Sequence, residues 1–317
     1  MANDPLSQVA PDLRGIIELL PDLSDIGNRL EEVRAALDGE APPMGDDGDV
    51  ITSEVAIARA DGSALRALVC RPSKSGNDRL PALVHVHGGG YVAGSANRDH
   101  DQARETALAH QCVVVTPDYR LAPEHPYPAP LDDVLDAWRW LVAQADTLGA
   151  DSARMALRGV SAGGGLAYAA ALKLRDAAEQ SPCLLVLVFP MLDDRTPAHA
   201  HNGRYVWTHA NNTFGWDSYL AGTDRNNPPA LAVPGRIDDV SGLPPVYLET
   251  GSLDLFAGEN LDLARKLIDA GISLDLHSRP GAFHGYTLVP CEAARAYQRA
   301  SASALNNAFG QTSDGET

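Results

Sequence analysis

The chain has 317 residues, 44% of them hydrophobic, with 25 Lys and Arg against 42 Asp and Glu and a formal charge of -17. A chain this long and apolar can bury about three quarters of its unfolded surface, which suits one large domain with insertions and excludes a disordered or fibrous protein. The acidic excess repels phosphate backbones and anionic lipid heads, so nucleic acid is a poor partner and the charge reads as a solubilising surface.

From the N-terminus, residues 1–11 show neither the basic segment nor the apolar run of a secretory leader. Leu23, Ile26, Leu30, Val33 and Leu37 recur at helical spacing and predict one or two amphipathic helices, interrupted near Pro21. Residues 41–48 read as a linker. Alternating segments 52–59 and 64–70 flank Asp61-Gly62 and predict an antiparallel hairpin at a sheet edge. Short apolar runs then alternate with helical stretches, the pattern of a parallel sheet covered on both faces. Strands are expected at 82–87, 112–116, 155–160, 184–189, 246–250 and 272–277, and helices near 99–110, 130–146, 162–178, 258–270 and 291–307. Residues 191–245 break the alternation, and a loop that long inside a compact domain usually forms a lid or a binding segment. The longest apolar run, 184–189, is too short to span a bilayer. Cys70, Cys112, Cys183 and Cys291 lack any Cys-x-x-Cys spacing, and three of them fall in strand-like runs. They read as core thiols, without a disulfide or zinc, and the expected location is the cytoplasm.

Gly159-Val160-Ser161-Ala162-Gly163 lies between a predicted strand and a small-residue helix, the setting of a nucleophile elbow. A serine on so sharp a turn stores about 1–3 kcal/mol of backbone strain. His87-Gly88-Gly89-Gly90 ends another predicted strand, where successive glycine amides can turn toward a developing oxyanion. Gly89, Gly90 and the amide of Ala162 would then form a three-donor hole. A base must follow downstream, and His199, His201, His209, His277 and His284 are the choices. His277 sits in a strand-like run and the first three in the irregular stretch, whereas His284 follows the last strand in a loop that can reach the elbow. The orienting carboxylate belongs just past strand 246–250. Asp254 fits, Glu249 lies within the strand, and Asp262 would face outward from the next helix. Tyr91, Met191, Trp207, Phe214, Trp216 and Tyr219 are candidates for an apolar substrate pocket.

At this point the residues resemble the hormone-sensitive-lipase-like branch of α/β-hydrolases, the bacterial family IV esterases. The resemblance spans residues 50–310. It rests on His87-Gly88-Gly89-Gly90-Tyr91 with Gly94-Ser95, the segment from Asp118-Tyr119-Arg120-Leu121-Ala122-Pro123-Glu124 through Ala129, Gly159 to Gly164, Asp254, and Phe283-His284-Gly285-Tyr286. It implies an α/β-hydrolase fold, with about eight mostly parallel strands flanked by helices and a helical cap. The cap would come from residues 1–48 and 191–245, the core from 49–190 and 246–310, and 311–317 would be a disordered tail. The resemblance further implies a serine esterase for short to medium acyl esters, with Ser161, Asp254 and His284 as its triad and no metal or organic cofactor. His87 would orient the glycine loop. Many relatives carry Asp where this chain has Val160, Asn at Gly165 and Asp at Gly258, while Glu259 matches. The same triad would serve a lactone, amide or carbamate. A non-hydrolytic small-ligand receptor on this fold is the rival from another class, but such receptors look like members that have lost the histidine kept here as His284. The expected partner is a small-molecule ester; the sequence leaves open whether the chain forms a homodimer.

Overall fold

A computed structural model describes residues 5–311 except 21, 75 and 77. The break expected near Pro21 and, apart from Gln311, the expected tail lie outside the described residues. Nine strands form one sheet among the described residues, in the order β1-β2-β3-β5-β4-β6-β7-β8-β9. They are β1 (Gly45–Asp46), β2 (Val50–Ala58), β3 (Ala64–Pro72), β4 (Leu80–Val86), β5 (Val113–Pro117), β6 (Ala150–Val160), β7 (Leu184–Val188), β8 (Val246–Gly251) and β9 (Leu274–Arg279). The first three strands pair antiparallel, β3 joins β5 antiparallel, and every pairing from β5 to β9 is parallel. The hairpin register, Ala58 opposite Ala64, places Asp61-Gly62 in the turn as expected.

The helices are α1 (Pro11–Arg14), α2 (Leu30–Asp38), α3 (His100–Ala109), α4 (Ala129–Ala143), α5 (Ala145–Leu148), α6 (Ala162–Asp176), α7 (His209–Tyr219), α8 (Ala257–Asp269) and α9 (Glu292–Ala308). Successive strand residues point to opposite faces, so the parallel strands feed two cores. Ala82, Val84, Val113, Val115, Leu185 and Leu187 pack toward α4, α6 and α8. Leu83, Val114, Val186 and Val188 pack toward α3 and α9. Each such aliphatic side chain contributes about 1.5–3 kcal/mol on burial, and both faces of the central strands share in it.

Three expectations change. The linker 41–48 contains β1, a two-residue edge strand outside the hairpin, so nine strands stand where about eight were expected. The helix expected over 130–146 divides at Gln144 into α4 and α5, the second ending at Gly149 in the left-handed region. Within the stretch 23–37 the helix is confined to α2; Leu23 and Ile26 are buried, but from a turn-rich segment.

Candidate active site

The elbow lies between β6 and α6. Ser161 has φ 55° and ψ -120°, a conformation L residues seldom adopt, and its amide donates to the Val188 carbonyl at 2.9 Å. The crossing is tight: a Cβ added at Gly163 would lie 2.2 Å from the His87 carbonyl oxygen. The loop after β9 brings in His284, whose Nε2 is 2.9 Å from Ser161 Oγ. On the other ring edge, His284 Nδ1 is 2.8 Å from Asp254 Oδ2. An ionised carboxylate only accepts, so Nδ1 carries the hydrogen and Nε2 is left to accept from the serine hydroxyl. The other oxygen of Asp254 accepts from the Phe256 amide at 2.9 Å, and the side chain is fully buried. Phe189 and Phe256 meet the imidazole edge-on at 4.7 and 5.1 Å and fix its plane.

The other candidate bases and acids lie elsewhere. His277 is in β9 beside the Tyr247 ring, His199 and His201 face each other at 5.9 Å, and His209 opens α7. Glu249 is buried in β8, where it accepts from Tyr247 and Tyr286 hydroxyls and from Arg279. Asp262 is exposed on α8.

Gly88, Gly89 and Gly90 face Ser161 across the same cavity. Gly89 and Gly90 have φ of +129° and +63°, and a Cβ on the second would strike Trp207 at 2.0 Å. Side chains are therefore excluded twice, by conformation and by space. The amides of Gly89, Gly90 and Ala162 donate to no acceptor among the described residues. The loop is braced from below. Tyr119 stacks on His87 with centroids 4.2 Å apart and donates its hydroxyl to the His87 carbonyl at 3.0 Å, while His87 Nδ1 donates to the Gly88 carbonyl at 2.8 Å. The segment that supplies Tyr119 is itself anchored by Arg120, which reaches the buried carboxylate of Asp133.

The cavity above Ser161 and His284 is apolar on most sides. Leu20, Leu23, Ile26 and Leu37 cover it from the N-terminal segment, with Val206 and Trp207 from the stretch after β7 and Leu288 from the loop beyond His284. Of the six pocket candidates only Trp207 lines it. Tyr91, Met191, Trp216 and Tyr219 are fully buried in the core, where Tyr91 stacks on Tyr219 at 4.1 Å and tilts against Trp216 at 5.2 Å. Phe214 packs over Gly27 instead. The three α7 aromatics serve to fix that helix onto the core, and Tyr91 and Met191 pack in the core beside them, so these five expected pocket residues do not line the cavity. The sequence reading missed Phe189, whose only signal was its place at a strand end, and the polar wall of Arg98, Asp99 and Gln102. Glu259, half-buried, accepts from the Leu192 amide and the Thr196 hydroxyl; desolvation pushes its carboxyl well above the usual range despite those bonds.

A family profile described as alpha/beta hydrolase fold matches residues 83–288. The chain belongs to that family, in the hormone-sensitive-lipase-like branch its motifs resemble. It is similar to esterase LipI of Mycobacterium tuberculosis, 30% identical over 286 residues that cover 89% of each chain. Ethyl acetate hydrolase of Pseudomonas putida is 32% identical over 265 residues, 81% of each chain. Among solved structures, a bacterial heroin esterase superposes with a TM-score of 0.87 at 29% identity, over 96% of this chain and 99% of the other. No helix among the described residues is long and apolar enough to cross a membrane.

Proposed function

We propose that this carboxylic ester hydrolase works through an acyl-enzyme formed on Ser161. The reading is carried by one observation, the unbroken chain from Ser161 Oγ through the His284 ring to Asp254, at 2.9 and 2.8 Å. His284 Nε2 takes the hydroxyl proton as Ser161 Oγ attacks the ester carbonyl. The tetrahedral oxyanion is held by the amides of Gly89, Gly90 and Ala162, each donor contributing about 2.7–4 kcal/mol to the transition state. The proton then passes from His284 to the alcohol, which leaves. Water activated by the same nitrogen attacks the acyl carbonyl, and the acid departs with Ser161 restored. Asp254 keeps its charge throughout, holding the tautomer and stabilising the imidazolium.

The substrate class is esters of short to medium acyl chains. The cavity supports this: its lining is mostly apolar, and Trp207 and Leu288 line it together with Ser161. In the same proposal, the residues before 49 and the stretch 191–245 act as a cap over the core. Residence in the cytoplasm also belongs to it, resting on four cysteines that are free thiols, three of them buried; cell fractionation tests that point. The function itself is tested with p-nitrophenyl esters of graded chain length. Wild type is expected to turn over the acetate and butyrate fastest, and Ser161→Ala to lose up to about a million-fold in turnover. Wild-type rates in the variant would overturn the proposal.

A further inference from the structure

One wall of the cavity is out of keeping with the rest. Asp99 stands there, in a cavity also lined by the aromatic residues Phe189, Trp207 and Tyr297. Its Oδ2 is 2.7 Å from His85 Nε2, and Arg158 Nε donates to His85 Nδ1 at 2.9 Å. The donation from Arg158 fixes the ring: Nδ1 accepts, so Nε2 carries the hydrogen and donates to Asp99. His85 is fully buried and Arg158 nearly so. The carboxylate is thus gripped from behind by a neutral imidazole with a cation beyond it. The other oxygen, Oδ1, has no hydrogen-bond partner among the described residues, does not cap α3, and belongs to a side chain that keeps 15% exposure. Arg98 and Gln102 line the cavity as well, but Arg98 makes no ion pair with Asp99. Val160, the residue beside the nucleophile, is apolar. The acid of this cavity therefore comes from its other wall.

A carboxylate with one free oxygen, in a mostly apolar cavity that aromatic rings also line, is the chemistry that recognises an ammonium ion: the anion supplies Coulomb attraction and the rings supply cation-π attraction. We infer that Asp99 is a specificity residue that favours esters carrying a cationic ammonium group on one arm, held between its free oxygen and the cavity's aromatic walls. The inference rests on the esterase reading and sharpens its substrate class. Burial alone would raise the Asp99 carboxyl, but the hydrogen bond from the neutral His85, with the Arg98 charge nearby, outweighs it and holds the group below its ordinary value. The side chain is then anionic wherever the enzyme would work.

The test compares isosteric ester pairs that differ only in charge. Butyrylcholine is set against 3,3-dimethylbutyl butyrate for the alcohol arm. The p-nitrophenyl ester of 4-(trimethylammonio)butyrate is set against that of 5,5-dimethylhexanoate for the acyl arm. In at least one pair, wild type is expected to favour the cation by roughly tenfold or more in kcat/KM, and Asp99→Asn to lose that preference. Each ratio is taken within one protein, so it cancels any general loss of activity in the variant. Choline should also inhibit wild type more strongly than 3,3-dimethylbutanol, a comparison that needs no variant. Neutral esters turned over with no preference in either pair, or an unchanged preference in Asp99→Asn, would overturn the inference and leave the esterase reading intact. A preference for a succinate half-ester over both members of a pair would also overturn it, assigning the wall to Arg98. Failure to hydrolyse any of these esters would count against the esterase reading first, and the inference would fall with it.

Discussion

His85 shows how one buried side chain couples the cavity to the stability of the fold. It sits in β4 with Arg158 donating to one ring nitrogen and Asp99 accepting from the other, so the ring has no site left for a second proton. Burial, reinforced by the Arg158 charge, pushes its pKa down to about 4, although the bond to Asp99 works the other way. An unfolded histidine takes its proton near 6.5, so between those two values the unfolded chain binds a proton that the folded chain refuses. Stability contributed by this residue is therefore complete above about pH 6.5 and lost as pH falls toward 4, by roughly 3 kcal/mol in all. His100 and His110 are also depressed by burial and add to the same trend, while the raised carboxyl of Glu259 opposes it. Comparing denaturant midpoints of wild type and His85→Gln across this window isolates the residue: wild type should lose stability more steeply, and parallel curves would refute the assignment. The glycines proposed to hold the oxyanion depend on equally local facts, since at Gly90 both the positive φ and the Trp207 ring exclude any larger residue.

At the scale of elements, the segment from Asp118 to Ala129 acts as a brace between strands and loop. Asp133, fully buried at the start of α4, accepts from Arg59 at 2.7 and 3.0 Å and from the Arg120 amide and guanidinium at 2.8 Å. Removing it leaves two poorly hydrated guanidiniums, so Asp133→Ala should cost about 3 kcal/mol in chemical unfolding. Asp146→Ala, which breaks only an exposed pair with Arg79, should leave the midpoint almost unchanged. Equal effects would show that burial does not set the difference. The strands were legible in advance, and segment 118–129 stood out as part of the resemblance, but its anchorage on Asp133 did not show in the sequence. Periodicity placed the hairpin and the parallel strands because alternate residues feed two separate cores, and the elbow and glycine loop carry unusual residues at unusual places. What stayed hidden was set by tertiary contacts or by local polar bonds. β1 is too short to show a period. Leu23 and Ile26 kept helical spacing, yet the Ser24 amide donating to the Asp22 carboxylate and the Asn28 amide donating to Asp25 favour turns there, and Asp25 itself takes φ 52°. The α7 aromatics read as pocket residues because an aromatic that fills a core and one that lines a cavity have the same sequence signature.

The molecule as a whole brings together groups far apart in sequence. β6 delivers the serine, the loops after β8 and β9 deliver the carboxylate and the imidazole, and the loop after β4 faces them with unpaired amides. In a parallel sheet all four arise at the carboxyl ends of the strands, which is where such folds assemble their sites. The N-terminal segment then closes over them with Leu20, Leu23, Ile26 and Leu37. A fluorophosphonate tests the central claim most directly, because it reacts only with a serine whose hydroxyl is activated and whose oxyanion is stabilised. One equivalent should add to the native protein, with the mass increment mapped by peptide sequencing to Ser161 and abolished in His284→Ala. An unlabelled Ser161, or labelling that persists without the imidazole, would contradict the account.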